Sequence, residues 1–353
     1  MDVHVVAPDG MDDPLRPSGG NVYDRRLCNE LAALGWSVKE HHVRGTWPTP
    51  APTDLAALGE VVSGIPDGAS VVLDGLVALT APEVLVREAD RLRLVVLVHM
   101  PLSGREPWQQ TSVERAREGA VLAAAAAVVT PSTWTRRLVL DRHAIRPELV
   151  HVARPGADRA AIAPGTKSGG ELLCVGSVTP DKGHDVLLAA LGTIRHLTWR
   201  CTCVGSLDAD PAFVDLLRRQ ADELEIGDRL RTTGPLAGAR LDEAYATADL
   251  LVTASRAETY GMVVTEALAH GLPVVATEVG GLPEALGWAP GSGRPGLMVP
   301  VDAPAALADA LRAWLGDPEL RIRLRCAAEE RRATLSGWPA TAETVSRVLA
   351  EVA

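Results

Sequence analysis

Phenylalanine occurs once in these 353 residues and tyrosine three times; aromatic residues make up 3% of the chain, and eight of them are tryptophan. Alanine, leucine and valine must therefore fill most of the interior, as the 47% hydrophobic content allows. The five cysteines are odd in number and scattered, with no C-x-x-C pair and no neighbouring Cys/His set. That pattern points to core packing rather than metal or redox work, and fits a reducing cytoplasm. Cys201 and Cys203 alternate along a strand-like run and are expected to face one side of a sheet. Positive charge is in deficit: the formal net charge is −10, with −3 over residues 1 to 160 and −7 over the remainder. Neither half offers the basic field that nucleic acid or an anionic lipid surface favours, so no nucleic-acid partner is expected. Long apolar runs are missing too. The longest, AVLAAAAAVV at 120–129, is about half the length that spans a bilayer, and the opening MDVHVVAP lacks the positive start of a signal peptide. The expectation is a cytoplasmic protein, monomer or homodimer, without an integral membrane segment. Absent finally are G-x-x-x-x-G-K-[ST] and G-x-G-x-x-G, so neither a P-loop nor a dinucleotide fingerprint is present.

What the chain does have is short β-branched runs separated by helical stretches. VHVVA at 3–7, SVVLDG at 70–75, LRLVVLVHM at 92–100, AAVVTPS at 126–132 and ELVHVAR at 148–154 form one set. ELLCVGSV at 171–178, WRCTCVGS at 199–206, RLRTTGP at 229–235, ADLLVTAS at 248–255 and LPVVATEVGG at 272–281 form a second. Continuous apolar strands alternating with helices argue for parallel sheets covered on both faces. The break lies in RPGADRAAIAPGTKSGGE, residues 154–171, whose Pro, Gly, Ser and Lys content reads as a hinge. The reading is therefore α/β: two Rossmann-like domains, 1–160 and 161–335, with functional loops at the carboxyl ends of the strands facing a central cleft. The tail from 336 to 353 carries Ala342, Val345, Leu349 and Val352 at helical spacing and forms a separate final helix.

Several segments carry candidate chemistry. Lys182 and Gly183 lie in CVGSVTPDKGHDVLLAAL, a strand, loop and helix start; free N–H groups and a lysine there make either a phosphate site or an ordinary turn. Gly19 and Gly20 precede a helix expected to open at about Asn21, where the backbone can approach an anion or Ser18 or Asn21 can simply cap the helix. His99 ends the run LVVLVHMP and is placed at the edge of a central strand, as a substrate contact or as a structural histidine. In ASRAETYGMVVTEALAHGLPVVA, Glu258 falls in a loop and Glu266 on the second turn of a helix spanning Gly261 to His270. Eight helical residues would separate the two by roughly 12 Å, beyond the paired carboxylates of a glycosidase at about 5 to 9.5 Å. A carboxylate in so apolar a helix needs hydrogen-bond partners, which sugar or ribose hydroxyls would provide.

Together, GGN at 19–21, VHMP at 98–101, VGSVTPDKG at 175–183, TGPL at 233–236, SRAETYGMVVTEALAHGLPVVAT at 255–277 and GGLPEAL at 280–286 resemble the retaining family-4 glycosyltransferases (glycosyl transferases group 1) of GT-B fold. In that fold the final helix crosses back to the N-terminal domain, which would be the acceptor domain, with the donor bound by the second. The resemblance implies a nucleotide-diphosphate sugar as donor, UDP first and GDP next, and a small-molecule or sugar acceptor. Glu266 would take the ribose hydroxyls, Glu258 the donor sugar, and the backbone of Thr259, Tyr260, Gly261 and Met262 the sugar and phosphates. Lys182 would neutralise the diphosphate, Gly19 and Gly20 would let its leaving end lie against the first helix, His99 would face the reacting sugar, and Leu236 would contact the base.

One departure stands out. Where the family commonly has an arginine after the glycine of the VG element, this chain has Ser177. Losing such a donor from a departing diphosphate costs on the order of 2 to 4 kcal/mol unless replaced; Arg256 or Arg16 are the available substitutes. Acceptor contacts are expected from Asn21, Arg105 and Trp108. No metal or other cofactor is expected, since Lys182 and helix starts supply the positive potential; Asp208-Ala209-Asp210, before Pro211, reads as a solvated turn. A nucleotide-sugar-binding protein without transferase activity, or another GT-B enzyme such as an epimerase, are the alternatives.

Overall fold

The computed structural model describes residues 1–13, 18–102 and 112–353. The chain divides into two compact units: Met1–Asp13, Ser18–Gly156 and Gly337–Ala353 form the first, and Ala157–Ser336 lie in the second. The first unit runs β1 (Asp2–Pro8), α1 (Gly19–Ala33), β2 (Ser37–Val43), α2 (Pro52–Ser63), β3 (Ser70–Asp74), α3 (Gly75–Ala78), α4 (Pro82–Glu88), β4 (Arg93–Leu97), α5 (Ser112–Ala124), β5 (Ala127–Thr130), α6 (Thr133–Arg142) and β6 (Val150–Val152). Its six strands are parallel, in the order β2-β1-β3-β4-β5-β6. β3 is buried along its whole length and β4 along all but Arg93, as expected for strands covered on both faces.

The second unit repeats the plan: β7 (Glu171–Val175), α7 (His184–Thr193), β8 (Arg200–Val204), α8 (Pro211–Glu223), β9 (Leu230–Thr232), α9 (Ala239–Ala246), β10 (Leu250–Thr253), α10 (Met262–Ala269), β11 (Val274–Thr277), α11 (Leu282–Leu286), β12 (Gly296–Val299), α12 (Pro304–Gly316) and α13 (Pro318–Arg332). The parallel order is β12-β11-β10-β7-β8-β9. The chain then re-enters the first unit as α14 (Trp338–Val352). There Thr341 Oγ1 donates to Arg154 O (2.7 Å), Trp36 Nε1 donates to Ser346 Oγ (2.9 Å), and Trp338 meets the ring of Tyr23 edge-on. The tryptophans thus supply bulk that the scarce phenylalanine does not: Trp314 is fully buried, its Nε1 satisfied by Gly169 O at 2.7 Å.

Two strands were not expected from the sequence. β2, SVKEHHV, is an edge strand with mostly accessible side chains, and β12, GLMV, follows the turn-rich stretch APGSGRPG; both lie at the margin of their sheets, where one face or edge meets water. The segment expected to be a hinge, 154–171, is for the most part fastened to the second unit. Ala163 N donates to His270 O (2.8 Å), Arg325 and Arg332 donate to Ala163 O and Ala160 O, and Asp249 accepts from Thr166 N, Thr166 Oγ1 and Glu171 N. Backbone groups in an irregular segment need partners, and these side chains provide them. All five cysteines are free; Cys174, Cys201 and Cys203 share one core cluster. Among the described residues no helix is long and apolar enough to cross a membrane.

Candidate active site

In the second unit, β7 ends at Val175 and the chain passes through Ser177 into a single 3₁₀ turn, Pro180–Lys182, before α7 begins at His184. Gly183 joins them with φ +66°, and a Cβ there would lie 2.0 Å from Ala254 O, so only glycine lets the turn rest on the end of β10. This places Lys182 Nζ 2.6 Å from Glu258 Oε1, which also accepts from Ser255 Oγ at 3.2 Å. Burial pulls the lysine's pKa down, but the charge and hydrogen bond of Glu258 outweigh it and the net shift is upward. The lysine and the loop glutamate are thus one ion pair, partly open to solvent on both sides.

Glu258 is held from behind by the Gly280–Gly281 pair. Gly281 N donates to Glu258 O (2.9 Å), and a Cβ on Gly280 would fall 1.7 Å from that oxygen. That contact accounts for GGLPEAL: α11 can approach the Glu258–Tyr260 loop only where side chains are missing. Gly261 caps α10, which starts at Met262 and leaves its first N–H groups without partners inside the helix. The side chain of Tyr260 is buried with Val264 and Leu282.

Glu266, on α10, belongs to a different network. Tyr245 Oη, from α9, donates to Glu266 Oε2 at 2.6 Å, and the tyrosine ring stacks on His270 at 5.1 Å. Burial pushes the Glu266 carboxyl above its ordinary range, and the tyrosine hydrogen bond opposes that shift. Sequence reasoning had no place for Tyr245; its rarity as one of three tyrosines was the available signal. Leu236 is half-buried against the core cluster that contains Val264 and Leu268.

Arg256 does not take the part expected of it as a stand-in for the arginine that Ser177 displaces. Its guanidinium is already bound to the carboxylates of Asp185 and Asp302 and to Pro180 O. Arg16, Arg105 and Trp108 lie outside the described residues. Asp210 caps α8 by accepting from Phe213 N, in keeping with a turn at 208–210.

In the first unit α1 begins at Gly19, not Asn21, because Ser18 serves as its N-cap and accepts from Asn21 N at 3.0 Å. β4 stops at Leu97, so His99 sits two residues past the strand. Gly20 packs against it: a Cβ there would be 3.2 Å from the imidazole. His99 Nε2 lies 2.6 Å from Asp24 Oδ1, on α1, and 4.0 Å from Asp74 Oδ2, at the end of β3. Both aspartates are buried, and Asp74 also accepts from Leu76 N. Burial works against a charged imidazole, but the Asp24 carboxylate overcomes it and His99 is pushed up to about 9. Burial, reinforced by the Asp24 charge, pushes Asp74 up to about 8. One donor atom from each of Asp24, Asp74 and His99 lies within 4.8 Å of the others, close enough to ring a cation. In the structure, however, His99 and Asp24 satisfy each other directly.

A family model described as Glycosyl transferases group 1 matches residues 169–317. The chain is 33% identical over 296 residues to D-inositol 3-phosphate glycosyltransferase 1 of Catenulispora acidiphila, covering 78% of this chain and 68% of that protein. Its fold matches sucrose-phosphate synthase from Thermosynechococcus elongatus with a TM-score of 0.82 at 22% identity, over 100% of this chain and 99% of that one. It matches Anabaena HepE in complex with UDP-glucose with a TM-score of 0.77 at 17% identity, over 99% and 100%. By sequence and by fold, the chain is a glycosyltransferase and belongs to the group 1 (family 4) glycosyltransferases of GT-B fold.

Proposed function

We propose that this glycosyltransferase moves a sugar from a nucleotide-diphosphate sugar to a hydroxyl of a small soluble polyol, with retention at the anomeric carbon and without a metal. The observation that carries the reading is the Lys182–Glu258 ion pair at the mouth of a helix start, together with a separate Glu266 carboxylate on α10 whose second oxygen has no hydrogen-bond partner among the described residues. A cation and a carboxylate held together mainly by one ion pair, with Ser255 Oγ the further donor to Glu258, are exchangeable. A diphosphate takes the lysine, sugar hydroxyls take Glu258, and ribose hydroxyls reach the open edge of Glu266. Ser177, Leu236 and the backbone from Thr259 to Met262 complete the donor contacts. Within the first unit, His99 and the start of α1 at Gly19, Gly20 and Asn21 are the candidates for substrate contact.

In the transfer, the bond from the anomeric carbon to the phosphate oxygen breaks and the acceptor oxygen bonds to that carbon on the same face. The acceptor proton passes to a phosphate oxygen of the leaving nucleoside diphosphate. Neither glutamate acts as nucleophile. Lys182 and the free N–H groups at helix starts supply the positive potential that a metal supplies in other phosphate chemistry. UDP is favoured because HepE is known with UDP-glucose, and a small polyol because the Catenulispora relative is named for D-inositol 3-phosphate. The test is a thermal-shift panel of UDP, GDP, ADP and TDP, followed by nucleoside-diphosphate release from the matching sugar donors. Stabilisation by one nucleotide together with acceptor-dependent release supports the reading. Tight binding without release from any donor leaves a binding protein instead.

A further inference from the structure

Arg256, beside the Lys182 turn, has every guanidinium nitrogen bound within the protein. Nη1 and Nη2 grip the Asp185 carboxylate at 2.9 and 2.7 Å, Nη1 also donates to Pro180 O at 2.5 Å, and Nε donates to Asp302 Oδ1 at 2.7 Å. The backbone N–H of Arg256 donates to Asp181 O at 2.7 Å. The turn Pro180–Lys182 is thus held at Pro180, at Asp181 and, through Asp185, at the first turn of α7. Asp302 meets the guanidinium from a left-handed backbone conformation, φ +54°, which aspartate adopts more readily than most residues. Gly183, resting on Ala254 O two residues before Arg256, closes the same body from the other side. All of these residues belong to the second unit.

We propose that Arg256 is a positioning residue: it fixes the Lys182 turn so that a single lysine, with serine at 177, meets the diphosphate in a set geometry. The inference rests on the proposed function, in which Lys182 is the phosphate contact. Arginine suits the task because a planar fork can bind a carboxylate with two nitrogens while a third reaches a second carboxylate, which lysine cannot do. Asp185 responds in kind: burial raises its pKa, and Arg256 outweighs that and holds it below the ordinary carboxylate range. With every guanidinium nitrogen occupied, Arg256 acts on the nucleotide through Lys182 and not by touching it.

A double-mutant cycle separates these roles. The affinity of the nucleoside diphosphate that stabilises the protein most, among UDP, GDP, ADP and TDP, is measured by calorimetry for wild type, Arg256→Gln, Lys182→Ala and the double variant. Arg256→Lys serves as the conservative change should the glutamine variant fold poorly. Arg256→Gln is expected to weaken binding about tenfold in the wild-type background and less than twofold once Lys182 is alanine, with Arg256→Lys falling between wild type and Arg256→Gln. An equal loss in both backgrounds would mean that Arg256 contacts the phosphates itself or merely supports the fold. That result, or no loss at all in the wild-type background, overturns the inference. If Lys182→Ala alone leaves affinity intact, it is the reading of Lys182 that fails, and the cycle shows so separately.

Discussion

The two units hold their charges in opposite ways. In the first, Asp24, Asp74 and His99 are enclosed together, and His99 and Asp74 hold protons more tightly than usual, His99 pushed up to about 9 and Asp74 to about 8. In the second, Lys182 and Glu258 balance one another across 2.6 Å, partly open to solvent. A buried proton store answers to pH, whereas a partly open pair of opposite charges can exchange partners with a polyanion.

The largest expected effect comes from the ion pair. Lys182→Ala should lower kcat/KM by about 100- to 1000-fold, the usual consequence of removing one donor from a developing anion, measured as nucleoside-diphosphate release. Glu258→Ala should lower turnover by about 100-fold while leaving nucleotide affinity within a few fold, because it is assigned to the sugar and not to the phosphates; full activity in this variant would refute that assignment.

The proton store gives a prediction about stability. His99, held above its unfolded value, contributes stability that is complete below about pH 6.5 and lost as pH rises through about 9. Asp74 is displaced in the same direction, so its contribution is lost between the ordinary carboxylate range and about 8. The melting temperature should therefore fall from pH 6.5 towards pH 9. Asp24→Asn removes both the counter-ion of His99 and the negative neighbour of Asp74, and should flatten that fall; an unchanged slope would show that the cluster does not titrate as described. The smallest effect is expected at Tyr245→Phe, where Glu266 loses one hydrogen bond. The tyrosine supports the carboxylate and does not itself touch the donor, so the donor KM should rise severalfold with kcat nearly unchanged, and the rise should be greater at lower pH because Glu266 protonates more easily without the tyrosine.

The same contrast governs what could be read in the sequence. The buried parallel strands were legible because apolar runs are enforced by two covered faces, and the motif residues Lys182, Glu258 and Glu266 were legible because their loops and helix starts have local signatures. Strands β2 and β12 were not: β2 reads SVKEHHV, a charged edge strand, and β12 is only the four residues GLMV after a Gly/Pro-rich stretch. Asp24 and Asp74 stand 75 and 25 residues before His99 in the chain, and Tyr245 stands 21 before Glu266. Their pairing is made by tertiary packing alone, which no local pattern records. Arg256 was read as a spare positive charge because sequence shows a charge but not its partners; Asp185, Asp302 and Pro180 O occupy it.

The central claim is that the Lys182–Glu258 pair opens to bind and activate a nucleotide-diphosphate sugar. Its most direct test is nucleoside-diphosphate release from UDP-, GDP-, ADP- and TDP-sugars, with myo-inositol and other small polyols as acceptors, by wild type and Lys182→Ala side by side. The account predicts multiple turnovers with one donor in the wild type and a loss of about 100-fold or more in the variant. Equal release by the two proteins would contradict it.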